Sequence, residues 1–208
     1  MLTVFVEGAC FGEGEEVVVP DDEARHALRV RRAQPGEAAL VLNGKGLLGR
    51  GRVVLLPGRR LAVRLEQVEQ QPSPPAPRIR VLAPLPKGPR AGELVDLLSQ
   101  AGACSWTPLL TKRSSRKPTA ALLARLGRVA VAACKQSRRP WLLRVDEPLP
   151  LAEALDGLAG AASFLADPQG PTLPGLRAQE HPADLQLFVG PEGGFEAEEL
   201  EAIAGSGA

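Results

Sequence analysis

A pair of glycines at positions 193 and 194 lies in the segment whose residue types point most clearly to ligand binding. Within Leu185–Leu200, an apolar run stops at Gly190-Pro191, and a segment with helical spacing follows the glycine pair. This pattern predicts a strand, a tight loop and a helix. Because glycine has no Cβ and tolerates positive φ, such a loop lets backbone amides and carbonyls approach a small ligand closely.

Acidic residues around this loop restrict the classes of ligand that it could bind. Glycine-rich loops before helices commonly bind phosphate, since unpaired N–H groups and the helix dipole attract anions. The loop has no Lys, Ser or Thr, and it matches neither GxxxxGK[ST] nor GxGxxG. The acids that would repel a phosphate are Glu192, Glu196, Glu198 and Glu199. We therefore favour a neutral or cationic ligand held by backbone groups. The alternative is an ordinary turn whose acids complement the helix dipole.

The composition indicates a globular protein of one large domain or two small ones. The chain has 208 residues, of which 44% are hydrophobic, enough for packed cores. No apolar run approaches the length of a membrane span, and the N-terminus MLTVFVEG lacks the features of a secretion signal. Three scattered cysteines, Cys10, Cys104 and Cys134, fit reduced thiols better than disulfides or a metal site. We expect a cytoplasmic protein with no membrane association and no structural metal.

Positive and negative charges are separated along the chain. Residues 1–144 contain 24 Lys and Arg against 12 Asp and Glu, whereas residues 145–208 contain one basic residue and 12 acidic ones. An arginine-rich basic segment is typical of a protein that neutralises phosphates, since arginine suits bidentate phosphate contacts. We interpret this segment as binding RNA or DNA. The alternative is a solvated surface whose excess charge is cancelled by the acidic end.

The proline-rich segment QQPSPPAP at residues 70–77 predicts a boundary between two domains. We place the first domain at residues 1–70, a linker at 71–77 and the second domain at 78–208. The first contains five short strand-like segments and a predicted helix at Asp22–Arg32, which indicates a small β-rich barrel or sandwich. Basic residues cluster in this helix, so we expect the domain to hold RNA. His26 is interpreted as a packing or capping residue rather than a catalyst, because no acid or nucleophile has a recognisable spacing from it.

Beyond the linker, strand patterns alternate with helix patterns. The predicted strands are Arg78–Leu85, Ser105–Leu110, Ser163–Ala166 and Leu185–Gly190. The predicted helices are Ala91–Gly102, Ala120–Arg139, Leu151–Leu158 and Ala197–Ala204. Alternation predicts an α/β domain with a mainly parallel sheet, helices on both faces and ligand loops at the carboxyl ends of its strands. The loops after Ala166 and Val189 should then form two walls of a single pocket.

Five motifs along the chain occur in an order that characterises one family. They are RHALRVRRAQPGE at 25–37, the lysine of PLPKGPR at 87, TKRS at 111–114, KQSRR at 135–139 and GPEGGF at 190–195. With these motifs the chain resembles, over nearly its whole length, the bacterial 16S ribosomal RNA (uracil-N3)-methyltransferases. This is the ribosomal small subunit methyltransferase E family of the SPOUT superfamily, and GPEGGF is its most specific motif.

The resemblance implies a PUA-like β-rich domain followed by a SPOUT-type α/β domain with a deep trefoil knot. It implies a homodimer that uses S-adenosylmethionine to methylate N3 of a uridine in 16S rRNA, either as free RNA or within the small ribosomal subunit. This cofactor agrees with the acidic loop, since it carries a positively charged sulfur and no phosphate. No metal is implied.

The resemblance also supplies candidate site residues. The cofactor would contact Leu165, Ala166, Asp167, Val189, Gly190, Pro191, Glu192, Gly193 and Gly194. RNA would contact Arg25, His26, Arg29, Arg32, Lys87, Arg113 and Arg139. The candidate catalytic residues are Arg113, Arg139 and Glu192. The two arginines would hold phosphate or stabilise negative charge on the uracil, and the alternative for each is a surface RNA contact or an interface ion pair. Glu192 would accept a proton or orient the cofactor, unless it only stabilises the turn.

Two departures from the family pattern keep other functions open. Gln100 stands where the family commonly has glutamate, and the sequence given ends at Ala208, before the motif with which the family closes the knot. We expect the complete gene product to be longer. The alternatives are a SPOUT methyltransferase that acts on another RNA such as tRNA, and a non-catalytic RNA-binding module of ribosome assembly.

Overall fold

The computed structural model describes residues 1–114, 116–157, 162–167, 170 and 183–206. The chain divides into two compact units. The first consists of Met1–Pro74 and Val131–Leu142, and the second of Pro75–Ala130 and Leu143–Ala208. The first unit thus includes a segment from far along the chain, which no local pattern at residues 70–77 could indicate.

The first unit is built on a five-stranded sheet. Its elements are β1 Leu2–Phe5, β2 Glu16–Val18, α1 Asp21–Arg29, β3 Ala38–Leu42, β4 Leu47–Leu56 and β5 Arg60–Gln70. The strand order is β1-β3-β4-β5-β2, in which β1 and β3 are parallel and the other pairs antiparallel. Alternating apolar residues of these strands fill one core together with Ala24 and Ala27 of α1. The β-rich prediction for this part of the chain is confirmed.

The second segment of this unit holds the end of a long helix, α3 Ala120–Ser137, and the chain that follows it. Cys134 packs in a cluster with Phe5, Leu40, Leu42 and Leu48. The backbone N–H of Leu142 donates to the carbonyl of Gly44 at 3.1 Å. These contacts explain why Val131–Leu142 joins strands that lie about a hundred residues earlier.

Burial makes Cys134 an unreactive thiol. Its side chain donates to the carbonyl oxygen of Arg139 at 3.0 Å, and desolvation raises its pKa from 9.0 to about 11. We expect iodoacetamide at pH 8 to modify the exposed Cys10 quickly and Cys134 slowly, because only the thiolate reacts. Peptide mass spectrometry over time measures both rates. Equal rates would contradict the buried position.

The same pKa shift has a consequence for stability. Between pH 9.0 and about 11 the folded state keeps the Cys134 proton whereas the unfolded state loses it, so stability falls as pH rises through this range. The contribution is about 1.4 kcal/mol for each unit of pKa shift. Urea denaturation of wild type and Cys134→Ala across this range should give a shallower pH dependence for the variant. Parallel curves would show that another group is responsible.

The second unit is an α/β domain. In chain order it contains β6 Arg78–Ala83, α2 Arg90–Ala101, β7 Ser105–Leu110, β8 Arg144–Val145, β9 Leu149–Pro150, α4 Leu151–Asp156, β10 Ala162–Leu165, β11 Asp184–Phe188 and α5 Ala197–Gly205. The main strand order is β10-β11-β6-β7-β8, with β9 pairing with β7, and each of these pairings is parallel. The predicted parallel sheet is therefore confirmed. Leu158, the predicted end of α4, lies outside the described residues.

A cluster of buried side chains and a buried tryptophan stabilise this sheet. Leu82, Leu109 and Phe188 pack with Phe195, which directly follows the glycine loop, and with Ile203 of α5. Trp106 is fully buried in β7, and its indole N–H donates to the carbonyl of Ala83 at 3.1 Å. The loop at 190–194 thus leaves directly from the core of the sheet. In the described part of the chain, every helix is too short or too polar to cross a lipid bilayer.

Candidate active site

The two loops predicted to bind a ligand begin side by side at the carboxyl edge of the parallel sheet. Leu165 pairs with Phe188, and Phe188 pairs with Leu82. Beyond these pairs, the N–H of Ala166 donates to the carbonyl of Phe188, and the N–H of Val189 donates to that of Leu82, both at 2.9 Å. The structure therefore brings Leu165, Ala166 and Val189 together. Pro168, Gln169 and Pro171 of the first loop lie outside the described residues, so the single pocket stays a prediction.

The GPEGG loop, residues 190–194, presents its backbone to solvent. The N–H of Gly194 donates to the carbonyl of Pro191 at 2.8 Å, which closes a tight turn. Gly194 has a φ of +71°, a conformation that favours glycine. At Gly190, a Cβ would lie 3.1 Å from the buried ring of Phe195. Phe195 fixes the base of the loop, while exposed Gly193 and Gly194 leave backbone groups accessible to a ligand.

Two of the four acids near the loop form the N-terminal cap of α5. Glu196 is the N-cap residue, and it shares a reciprocal capping box with Glu199. The N–H of Glu196 donates to Glu199 Oε2 at 2.9 Å. Glu199 is buried, and its other oxygen, Oε1, accepts from the N–H of Lys112 at 2.8 Å. The Glu199 carboxylate therefore links the cap to the loop that follows β7.

Arg113 joins the same two loops through its side chain. Its Nη1 donates to the carbonyl of Gly193 at 2.5 Å, and its Nε donates to Glu196 Oε1 at 2.7 Å. Beside it, the ammonium of Lys112 pairs with Glu198. Their hydrogen bond raises the pKa of Lys112 and lowers that of Glu198. The TKRS motif at 111–114 thus acts as a brace for the GPEGG loop.

Hydrogen bonds within the TKRS motif fix this brace in turn. The N–H of Thr111 donates to Ser114 Oγ at 2.8 Å, and Ser114 Oγ donates to the carbonyl of Leu109 at 3.2 Å. Sequence reasoning selected Arg113 but missed the role of Lys112 and Glu199. The spacing of Glu196 and Glu199 at a helix start was a signal for the capping box. Nothing local to the sequence indicated the partner loop.

Of the other two predicted catalytic residues, Glu192 lies in the GPEGG loop and Arg139 in the first unit. Glu192 is exposed, and within the described residues its carboxylate has no hydrogen-bond or ion-pair partner. Arg139 belongs to the first unit, where its N–H donates to the carbonyl of Cys134 at 3.2 Å. Asp167, a predicted cofactor contact, is exposed two residues after the end of β10. Their predicted roles stay predictions.

Of the seven predicted RNA-binding residues, Arg139 is half-buried and the other six are exposed. Arg25, His26 and Arg29 lie on α1, and Arg32 follows that helix with a φ of +52°. Lys87 lies in the second unit, on the loop after β6. Exposed cationic side chains are compatible with contacts to a polyanion.

The chemistry of the loop suits a neutral or cationic ligand. Its polar groups are backbone amides and carbonyls and the carboxylate of Glu192, and the cation beside it, Arg113, is hydrogen-bonded to Gly193 and Glu196. S-adenosylmethionine, with a positively charged sulfur and no phosphate, fits this donor set. The described residues contain no group of three or more His, Cys, Asp or Glu placed to hold a metal ion.

A glycine loop at the edge of a parallel sheet, preceded by a β-rich unit, defines the class of this protein. The chain belongs to the RNA methyltransferase family: the model of an RNA methyltransferase domain matches residues 73–208, and that of an RNA methyltransferase PUA domain matches residues 19–66. The resemblance found in the sequence motifs, and the fold class of a PUA-like domain followed by an α/β domain, are confirmed.

Similar proteins carry a more specific name. The ribosomal RNA small subunit methyltransferase E of a Synechocystis species is 31% identical over 196 residues, which cover 92% of this chain and 64% of that protein. The Mycobacterium bovis protein of the same name is 31% identical over 206 residues, covering 94% and 78%. The chain thus spans between 64% and 78% of the length of these relatives.

A solved structure supports the same assignment of fold. It is the ribosomal RNA small subunit methyltransferase E of Neisseria gonorrhoeae, bound to S-adenosyl methionine. The two proteins align with a TM-score of 0.87 at 23% identity, covering 100% of this chain and 86% of that one.

Proposed function

We propose that the intact protein uses S-adenosylmethionine to methylate N3 of a uridine in the 16S rRNA of the small ribosomal subunit. The observation that carries this proposal is the braced GPEGG loop at the carboxyl edge of the sheet, in a chain of the RNA methyltransferase family. The names of the relatives support ribosomal RNA as the substrate. We further propose a cytoplasmic homodimer whose α/β domain is knotted.

The proposed cofactor-binding surface consists of the ends of β10 and β11 and the loops after them. Leu165, Ala166 and Asp167 form one side, and residues 189–194 form the other. S-adenosylmethionine, when bound, supplies a methyl group on a positively charged sulfur. The task of the loop backbone is to hold and orient the cofactor. Correct placement of the methyl donor against the uracil removes a large entropic barrier.

Removal of the uracil N3 proton is the chemical problem that the protein side chains must solve. The N3 lone pair becomes nucleophilic when its proton leaves, so a carboxylate near N3 assists by accepting that proton. We propose Glu192 for this role, because Glu196 and Glu199 are engaged in the helix cap. The backbone of residues 190–194 would hold S-adenosylmethionine so that its methyl carbon could bond to N3 while the carbon–sulfur bond broke. Arg113 is proposed as a positioning residue, and Arg139 as an RNA contact.

Two measurements on the intact protein test the proposed function. Isothermal titration calorimetry with S-adenosylmethionine should show saturable binding. Primer extension on small-subunit rRNA should show a stop at one uridine in wild type that a deletion strain lacks. Cofactor binding without any rRNA stop would favour another RNA such as tRNA, and RNA binding without cofactor binding would favour an assembly module.

Removing the Arg113 brace should weaken cofactor binding. Arg113→Ala loses the hydrogen bonds to Gly193 and Glu196, so the loop samples conformations that do not bind. Because Arg113 is 45% and Glu196 39% exposed, solvent screening keeps the effect modest, at about a fivefold rise in the dissociation constant. Calorimetry measures it.

Lys112→Ala is the matched control for Arg113→Ala. It removes a neighbouring positive charge, but its side chain contacts Glu198 rather than the GPEGG backbone. Its cofactor affinity should stay within twofold of wild type. An equal loss in both variants would show that net charge, rather than the brace, controls binding.

A further inference from the structure

A groove in the first unit brings together basic residues from distant parts of the sequence. It has a volume of about 390 Å³, and it is formed by β1, α1 and the segment that ends α3. Its ionisable lining side chains are Glu23, His26, Arg31, Lys135 and Arg138. All of them belong to the same compact unit. Arg31 and Arg138 are more than a hundred residues apart, so the groove exists only in the folded protein.

The charge of this groove is only partly compensated. Lys135 Nζ lies 2.6 Å from Glu23 Oε1, and both side chains are 21% exposed, so this pair is largely neutral. Arg31 and Arg138 are exposed, and their guanidinium groups contact no acid or hydrogen-bond acceptor among the described residues. His26 is exposed beside them. Two permanent positive charges therefore face an open concave surface.

The backbone at Arg138 adds a second observation. Arg138 has a φ of +55° at the end of α3. The N–H of the next residue, Arg139, donates to the carbonyl of Cys134 at 3.2 Å, a bond that closes the helix end. Glycine is the usual residue in this left-handed position, because a Cβ is unfavourable there. A long charged side chain is thus held at a strained position while it lines the groove, a combination found at functional sites.

We propose that this groove binds the sugar-phosphate backbone of RNA, with Arg31 and Arg138 as its phosphate contacts. Charge complementarity identifies the occupant, since phosphate oxygens accept the bidentate hydrogen bonds that arginine donates. An open groove of about 390 Å³ is larger than one phosphate group needs, so it suits a polymer that continues beyond it. The proposal rests on the proposed function, because it concerns how the same RNA substrate is held.

The test compares two arginine-to-glycine substitutions that differ only in location. Arg138→Gly removes a positive charge from the groove and relieves the strain of a left-handed backbone conformation. Arg59→Gly also removes a positive charge and relieves backbone strain, at the turn before β5, where φ is +60°. Arg59 is exposed and lies outside the groove lining. Both variants should have a melting temperature equal to or higher than that of wild type. The increase should be about 2–4 °C if the substitution relieves 1 kcal/mol of strain. Loss of binding therefore cannot be attributed to unfolding.

RNA affinity is measured by fluorescence anisotropy with a labelled 16S rRNA fragment and the intact protein, without cofactor, from 50 to 300 mM salt. Arg138→Gly and Arg31→Ala should each weaken binding by about 3- to 10-fold and reduce the slope of log affinity against log salt by about 0.7–0.9. Arg59→Gly should bind as wild type. Unchanged affinity and slope for Arg138→Gly would overturn the proposal, as would an equal loss for Arg59→Gly.

The outcome is separable from that of the proposed function. Because anisotropy needs neither cofactor nor catalysis, the groove can be supported even if methyl transfer is absent. If methyl transfer occurs, Arg138→Gly should raise the KM for RNA and leave kcat at the wild-type value. A fall in kcat at saturating RNA would contradict a purely RNA-holding role.

Discussion

Glu199→Ala is expected to detach the GPEGG loop from its support and to reduce affinity for S-adenosylmethionine at least tenfold. The buried carboxylate accepts hydrogen bonds from the N–H groups of Lys112 and Glu196. Alanine leaves both donors unpaired, at about 1–3 kcal/mol for each one that stays buried. We therefore expect about 2–6 kcal/mol lower stability when both donors stay buried. Urea denaturation followed by circular dichroism, and calorimetric titration of the cofactor, measure the two effects.

Two variants serve as controls for this effect. Glu198→Ala removes the same charge from the same helix turn, but Glu198 is an exposed partner of Lys112, so stability and cofactor affinity should change little. Glu199→Gln keeps one oxygen acceptor and should fall between wild type and Glu199→Ala. Wild-type cofactor affinity in Glu199→Ala would show that the cap does not support the ligand site.

Gly51→Ala is expected to destabilise the first unit by more than about 4 kcal/mol, a size that only a few mechanisms produce, overpacking among them. Gly51 lies at the irregularity in the β4–β5 register, where a Cβ would be 2.0 Å from the carbonyl oxygen of Arg64. That oxygen belongs to the backbone, so a side-chain rotation cannot relieve the clash. Hydrogen exchange should show lost protection across β4 and β5, and RNA affinity should fall with it.

Gly127→Ala is the matched control, with an effect of opposite sign. Gly127 lies inside α3, and an added Cβ would meet nothing within 4 Å. Alanine has a higher helix propensity than glycine, so this variant should gain about 0.5–1 kcal/mol. If Gly51→Ala unfolded at the same urea concentration as wild type, β4 and β5 would have to pair differently at residue 51.

Most helices and strands could be predicted from the sequence because their patterns are local, but the two-residue strands β8 and β9 are too short to leave a pattern and were not predicted. Ser105–Leu110 was predicted with the bounds that the structure has, since a run of buried residues there is closed by Thr111 and Lys112. The predicted helix Ala120–Arg139 ends two residues earlier, at Ser137, because Arg138 adopts a left-handed conformation. Alternation of these elements was enough to predict the parallel sheet.

Contacts between distant residues could not be predicted in this way. The position of β11 between β6 and β10 depends on pairing across the chain, and periodicity carries no information about which strands become neighbours. Arg113 is 80 residues from Gly193, so its hydrogen bond to that carbonyl could not be predicted from the local sequence. The motif drew attention to Arg113, and the structure shows its contact with the glycine loop, while its catalytic role stays a prediction.

For protein engineering, the brace makes two distant segments a single exchangeable part. A chimera that takes residues 190–199 from a relative inherits a loop whose carbonyl and carboxylates require partners at Lys112 and Arg113. If that segment is grafted alone, the partners that these hydrogen bonds require are not transferred with it. Residues 111–114 must be transplanted together with it, even though more than seventy residues separate the two segments.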